Sequence, residues 1–245
     1  MREGLLEEYR KDVERIFGED LVSLTIYGSR ADEEPAPGAE AAILLVVRHL
    51  AKTALEGYHD IAHRYARRGI PAPPILTEAF LRKSADVFPL EYLGIAEKRR
   101  VLAGRDVVAD LPITTTNLRH QVEFELKGKL LAMRRMYMHT FGRKELVKLL
   151  FATVGPLVSV ARGLLLLADR EPGGSPRGAP HEKEAIVSEL EQRFGVSLHA
   201  IREVLAARRA GSMSPARAEE IYFSYFEEAD RLCSVSDRFP GGDGA

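Results

Sequence analysis

The residues best suited to chemistry lie between positions 21 and 47. An alternating, β-branched run from Leu21 to Tyr27 gives way to Gly28-Ser29-Arg30. Glycine adopts backbone conformations closed to other residues and lets the chain approach a ligand closely. A serine beside it offers a hydroxyl and an N–H, and successive N–H groups at such a bend form a concavity that suits an anion. Arg30 adds a guanidinium, whose fork of donors matches phosphate oxygens. Gly28, Ser29 and Arg30 are therefore candidate phosphate contacts. Ten residues separate Ser29 from Glu40, which precedes Ala41-Ala42 and the apolar run Ile43 to Val47. Two carboxylates two residues apart on a strand share a face. There they can hold divalent cations against a polyphosphate. Here Glu40 is acidic and Ala42 is not.

The pattern resembles the nucleotidyltransferase superfamily, which includes DNA polymerase beta and the aminoglycoside nucleotidyltransferases. Its members show a strand, Gly-Ser, a spacer of similar length, then Asp-x-Asp opening a hydrophobic strand. The resemblance implies a nucleoside triphosphate bound at Gly28, Ser29 and Arg30. It also implies Mg2+ held by acids, and transfer of a nucleoside monophosphate to a hydroxyl acceptor that the sequence does not specify. It puts Glu40 at the first acid position and Ala42 at the second, where no oxygen is available. A third acid belongs on a later strand. Glu91, in Phe88-Pro89-Leu90-Glu91-Tyr92, is the first candidate and Asp86 the second. Glu40 and Glu91 are thus the expected catalytic and metal-binding pair. The missing second acid supports an alternative, a catalytically impaired pseudoenzyme serving as a regulatory or antitoxin-like module with a protein partner.

Weaker constellations were weighed beside this one. Residues 115–150 carry Arg119, Lys127, Lys129, Arg134, Arg135, Arg143, Lys144 and Lys148 against Glu123, Glu125 and Glu145, a local charge of +5. Such a tract attracts a triphosphate, RNA or an acidic partner. A solvated helix face is the simpler reading, and the few interleaved aromatics do not support base stacking. Arg134 and His139 have the spacing found in helical HEPN ribonucleases, a pattern short enough to arise by chance. His59 and His63 are four apart on an expected helix, a metal-ligand spacing that lacks a third ligand.

The surrounding pattern predicts an α+β protein: an N-terminal mixed sheet flanked by helices, then an all-α helical bundle. Leu5, Leu6, Tyr9, Val13, Ile16 and Phe17 form one stripe of a helix over 4–17 that stops at Gly18. Leu21–Tyr27 and Ala41–Val47 read as strands, the second buried on both faces. A helix is expected over 51–68, a short strand at Ile75 and Leu76, and an edge strand over Val87–Ile95. After Thr114 the periodicity is helical. Helices are expected from Thr115 or Thr116 to about Met138, then over Lys144–Val154, Pro156–Ala168, His181–Phe194, Leu198–Arg208 and Pro215–Ser236. The expected domains are 1–112 and 113–239, with a disordered tail at 240–245.

Bulk composition bounds the partners. The chain has 245 residues, 45% hydrophobic and 29% charged, with a formal net charge of −1. Overall charge gives no attraction to nucleic acid or membranes. The single cysteine, Cys233, excludes an internal disulfide and a cysteine-rich zinc site. The charged N-terminus lacks a signal-peptide core, and the run Gly163–Ala168 is too short to span a bilayer. A cytoplasmic protein is expected.

Overall fold

The computed structural model describes residues 3–28, 31, 42–170 and 179–239. The chain separates into two compact units, Met1–Ile113 and Thr114–Ala245. The first contains strands β1 (Leu21–Tyr27), β2 (Ala42–Val47), β3 (Ile75–Thr77) and β4 (Arg99–Gly104) and helices α1 (Glu3–Phe17), α2 (Lys52–Ala66), α3 (Glu78–Lys83) and α4 (Pro89–Glu97). The strands form one mixed sheet in the order β3-β2-β1-β4. β1 pairs antiparallel with β2 and β4, and β2 pairs parallel with β3. The protein is α+β.

Ile43 to Val47 is continuously apolar because both faces of the sheet are covered. Ile43, Leu45 and Val47 pack with Leu6, Tyr9 and Val13 of α1 and Tyr58 and Tyr65 of α2. Leu44 and Val46 pack on the other face with Leu81 of α3 and Tyr92 and Ile95 of α4. Along β1 the expected alternation holds for Leu24 and Ile26, which face α1. Val22 joins the opposite core because the pairing shifts between Leu21 and Ser23. Buried hydroxyls pair with each other, as polar groups out of water must: Tyr9 with Tyr58 at 3.0 Å, and Ser23 with Thr25 at 2.9 Å.

Two expectations fail in this unit. Val87–Ile95 is not a strand; α4 occupies Pro89–Glu97 and buries Tyr92, Leu93 and Ile95. Proline restricts a strand but suits the first turn of a helix, where its missing N–H would have no partner anyway. The fourth strand falls instead at Arg99–Gly104, where the sequence reading placed no element. Its cationic start and small residues carry no strand periodicity, and its pairing with β1 creates it.

The second unit contains α5 (Thr115–Met138), α6 (Arg143–Ala168), α7 (Lys183–Phe194), α8 (His199–Ala210) and α9 (Pro215–Ser236). Leu118, Val122, Leu126, Leu130 and Met133 form the buried stripe of α5. Its cap is Thr114 rather than Thr115 or Thr116, with Thr114 Oγ1 accepting from Asn117 N–H at 3.1 Å. Ser214 caps α9 in the same way, at 3.1 Å from Arg217 N, with Pro215 in the first turn as expected. The two helices expected over 144–168 are one. α6 runs through Pro156 with buried residues on both sides of it, so packing of both halves outweighs the backbone bond that proline removes. Among the described residues α6 is the helix long and apolar enough to cross a membrane (26 residues, mean hydropathy 1.9), and 61% of its apolar window is buried inside the protein. The expectation drawn from Gly163–Ala168 therefore understated this segment.

Two buried groups of this unit have definite surroundings. Glu228 of α9 is 3% exposed and accepts from Ala200 N–H at 2.9 Å and Ile201 N–H at 2.8 Å. It thus satisfies the first turn of α8, which has no side-chain cap of its own. Burial raises its carboxyl above the ordinary range, and the two N–H groups offset part of that rise. Cys233 is buried, and desolvation pushes its thiol up to about 11, consistent with a packed, unreactive side chain.

Candidate functional site

The end of β1 is where the chemistry-bearing residues meet. Tyr27, its last residue, pairs with Ala42 at the start of β2 and with Arg99 at the start of β4. Three strand ends therefore converge there. Gly28 follows with φ +74°, a left-handed conformation that suits glycine. Its N–H donates to the Lys98 carbonyl at 2.9 Å, and its own carbonyl accepts from Ala31 N–H at 3.0 Å. Among the described residues no atom comes within 4 Å of where a Gly28 Cβ would stand. The turn is thus pinned to the sheet through Lys98, and no described residue packs against its Cα on the side a Cβ would take.

Ser29, Arg30 and Glu40 lie outside the described residues. Ala42 is described: it opens β2 opposite Tyr27, half-buried. Alternation places it on the sheet face of Leu44 and Val46, so position 42 supplies a methyl group where the resemblance expects an oxygen. Glu91 is on the exposed first turn of α4, not on a strand. It precedes Glu97 by six residues, about 9 Å along a helix axis. Asp86 lies in the turn before α4, also exposed.

Helix α4 points instead to an acid that sequence reasoning missed. Glu97 ends α4 and is followed at once by Lys98, whose carbonyl holds Gly28. Of the acids on this helix, Glu97 is the one the chain carries to the Gly28 end of the sheet. Once Pro89 is read as a helix start, the 1.5 Å rise per residue over six residues shows that the two acids occupy different ends.

The strands themselves bring cations, not acids. None of β1, β2, β3 and β4 contains Asp or Glu. Lys98 and Arg99 stand beside Gly28 instead. Arg99 reaches Asp106 Oδ2 through Nε at 2.9 Å and a terminal nitrogen at 2.6 Å, and also donates to the Ala96 carbonyl. The Arg99 bonds are the largest influence holding the Asp106 carboxyl below its usual range. The other Asp106 oxygen accepts from Val108 and Ala109 N–H at 3.0 and 3.3 Å. This pair fixes the start of β4, and with it the carbonyl that anchors Gly28. Burial raises the Tyr27 phenol above its ordinary value.

The magnesium expectation meets this donor set poorly. Among the described residues no group of three or more His, Cys, Asp or Glu is placed to hold a metal ion. That includes His59 and His63 of α2. With a methyl at position 42 and no acid on the strands, the described residues do not fit a two-carboxylate magnesium site.

No protein-family model matches this chain, and no curated protein matches it in sequence. Its fold is similar to that of the spectinomycin adenyltransferase AAD(9) from Enterococcus faecialis, solved with ATP and spectinomycin. The TM-score is 0.56 at 10% sequence identity, over 96% of this chain and 99% of the other. At that identity the likeness is one of fold.

Proposed function

We propose that this chain binds a nucleoside triphosphate at the turn after β1, with Gly28, Ser29 and Arg30 receiving the phosphates, as a nucleotidyltransferase-type protein. The observation that carries the reading is Gly28 itself. It holds a left-handed backbone at the point where three strand ends meet, is tied to Lys98, and has no described atom within 4 Å of where a Cβ would stand. A glycine is needed there for conformation, and the free space is what a phosphate would use. The fold likeness to an adenyltransferase supports the same class of ligand.

In the reaction of that superfamily a hydroxyl attacks the α-phosphate, the bond to the β-phosphate breaks, and pyrophosphate leaves. Glu40 and Glu91 are the carboxylates the resemblance assigns to it; Glu97 is the acid the topology adds. Ala42 and the absence of acids on the described strands favour a second reading, in which the nucleotide is bound and sensed but not efficiently transferred. The chain then acts as a regulatory or antitoxin-like module on a protein partner.

Equilibrium binding of the four ribonucleoside triphosphates tests the first claim. Saturable binding that is lost in Gly28→Val, with the variant still folded, is expected; unchanged binding in that variant overturns it. Transfer of labelled nucleotide, with ATP and spectinomycin tried first and other aminoglycosides after, separates the two readings. Incorporation that disappears in Glu40→Ala or Glu97→Gln defeats the regulatory one.

A further inference from the structure

The basic tract of residues 115–150 is not uniformly solvated, and the fold sorts its cations. Arg119 and Lys127 pair with Glu123, and Lys127 also reaches Asp237. Lys129 pairs with Glu125, Arg134 with Asp230 and Arg143 with Glu219. Arg135 and Lys148 have no ion pair or hydrogen bond among the described residues. Lys144 is likewise without a partner among the described residues and does not line the hollow; Arg135 and Lys148 line an open hollow of about 520 Å³ between the end of α5 and the start of α6. His139 and Glu145 join them on its wall, and Met136 and Leu149 give it apolar surface. The Glu145 carboxylate already accepts the Phe141 N–H at 2.7 Å, so it is committed to the backbone rather than to either cation.

Arg135 rather than Arg134 thus faces the same cavity as His139. Two cations against the single Glu145 carboxylate leave the hollow with one net positive charge, which an anion would relieve. Fork and point-charge donors from opposite walls suit a phosphate ester. The hollow is open to solvent, and the exposed Met136 thioether beside the cations suits an apolar ring. No Phe, Tyr or Trp is among the residues lining it, so the hollow itself offers no base-stacking track for a nucleic-acid strand.

We propose that this cavity is a binding site for a phosphorylated small molecule with a planar or apolar body, of the class of a nucleoside monophosphate. Arg135 and Lys148 hold the phosphate, and Met136 covers the ring. No residue of the first unit enters the proposal, so it stands or falls separately from the Gly28 reading.

The test uses the full chain in buffer containing EDTA. AMP, adenosine, inorganic phosphate and a short oligoadenylate are titrated in turn while the 13C-methyl resonances of Met136 and Ala152, another wall residue, are followed. AMP is expected to move both resonances saturably. Its affinity should fall at least about tenfold in Arg135→Gln/Lys148→Gln, as for loss of charge-assisted contacts, and should fall with added salt. Adenosine and inorganic phosphate should each bind more weakly than AMP. Both substituted residues are exposed, and an unchanged thermal transition would show that the double variant is folded. The proposal is overturned by AMP leaving these resonances still, by equal affinity in the double variant, by inorganic phosphate binding as well as AMP, or by a response to the oligonucleotide alone.

Discussion

Gly28 and Gly104 make a controlled pair. Their φ angles are +74° and +76°, so alanine pays nearly the same backbone strain at either position, about 1–2 kcal/mol for a left-handed residue. Their surroundings differ. A Cβ at Gly28 meets no atom of the described residues within 4 Å. A Cβ at Gly104 would stand 2.1 Å from the Val22 carbonyl oxygen and 2.8 Å from its carbon, whereas even close C–H···O contacts keep about 3.3 Å between carbon and oxygen. The obstacle is backbone, not a side chain that can swing away. The same Val22 oxygen accepts the Arg105 N–H at 3.0 Å, so relieving the clash breaks that bond at the β1–β4 edge. A buried bond left unmade costs about 1–3 kcal/mol. Gly104→Ala should therefore lose about 2–5 kcal/mol in total, against about 1–2 kcal/mol for Gly28→Ala. Hydrogen exchange of the Leu24 and Thr25 amides, with urea unfolding followed by circular dichroism, reads the loss in the first unit. The functional order is reversed: Gly28→Ala stays folded but weakens triphosphate binding. Equal stability losses in the two variants would refute the steric reasoning, and full binding by Gly28→Ala would refute the phosphate turn.

Further outcomes follow from single side chains. Tyr222 has a buried hydroxyl with no hydrogen-bond partner among the described residues, although its ring stacks on Tyr137 at 4.5 Å. Tyr222→Phe should keep the stack and raise stability by about 1 kcal/mol, measured by thermal unfolding; a loss of that size would show a hidden partner. Glu228 and Asp12 should give opposite pH signatures. The Glu228 carboxyl lies above its ordinary 4.5 in the folded chain, so the folded state binds its proton more readily, and this group's contribution rises as pH falls from above the folded value towards 4.5, flattening below it. Glu228→Gln should remove that slope from unfolding measured across mildly acidic pH. Asp12 accepts from the Tyr65 hydroxyl at 2.6 Å and pairs with Arg64, and the Tyr65 bond first, then the nearby arginines, hold it below 3.8. Its contribution is complete above 3.8 and disappears as pH falls through the lower folded value, so Asp12→Asn should cost stability at neutral pH and none in strong acid. Ala42→Asp returns a carboxylate to the mouth of β2, and manganese-dependent nucleotide transfer should rise; an unchanged rate would show that position 42 is not what limits the reaction.

The turn at Gly28 was legible because its signal is local: a strand of β-branched residues ends at a glycine, and the glycine is where the backbone becomes left-handed. The double burial of β2 was legible for the same reason, since five consecutive apolar residues leave no polar face. Glu91 was misplaced because Pro89 fits both an edge strand and a helix start, and only the packing of Tyr92 and Ile95 against Leu44 and Val46 selects the helix. That choice puts Glu91 in the first turn of a helix and Glu97 at its end, next to Lys98. The single helix through Pro156 was unreadable for a similar reason: proline's local cost is visible in sequence, while the burial that overrides it comes from neighbouring helices.

Residue order alone therefore determined the α+β succession, the strand-glycine turn and the missing second carboxylate, all of which depend on contacts within a few residues. Tertiary structure decided that Glu97 rather than Glu91 ends α4 beside Lys98, and which cations of the basic tract are ion-paired. Those outcomes depend on partners such as Lys98, Asp230 and Glu219, brought together from distant parts of the chain.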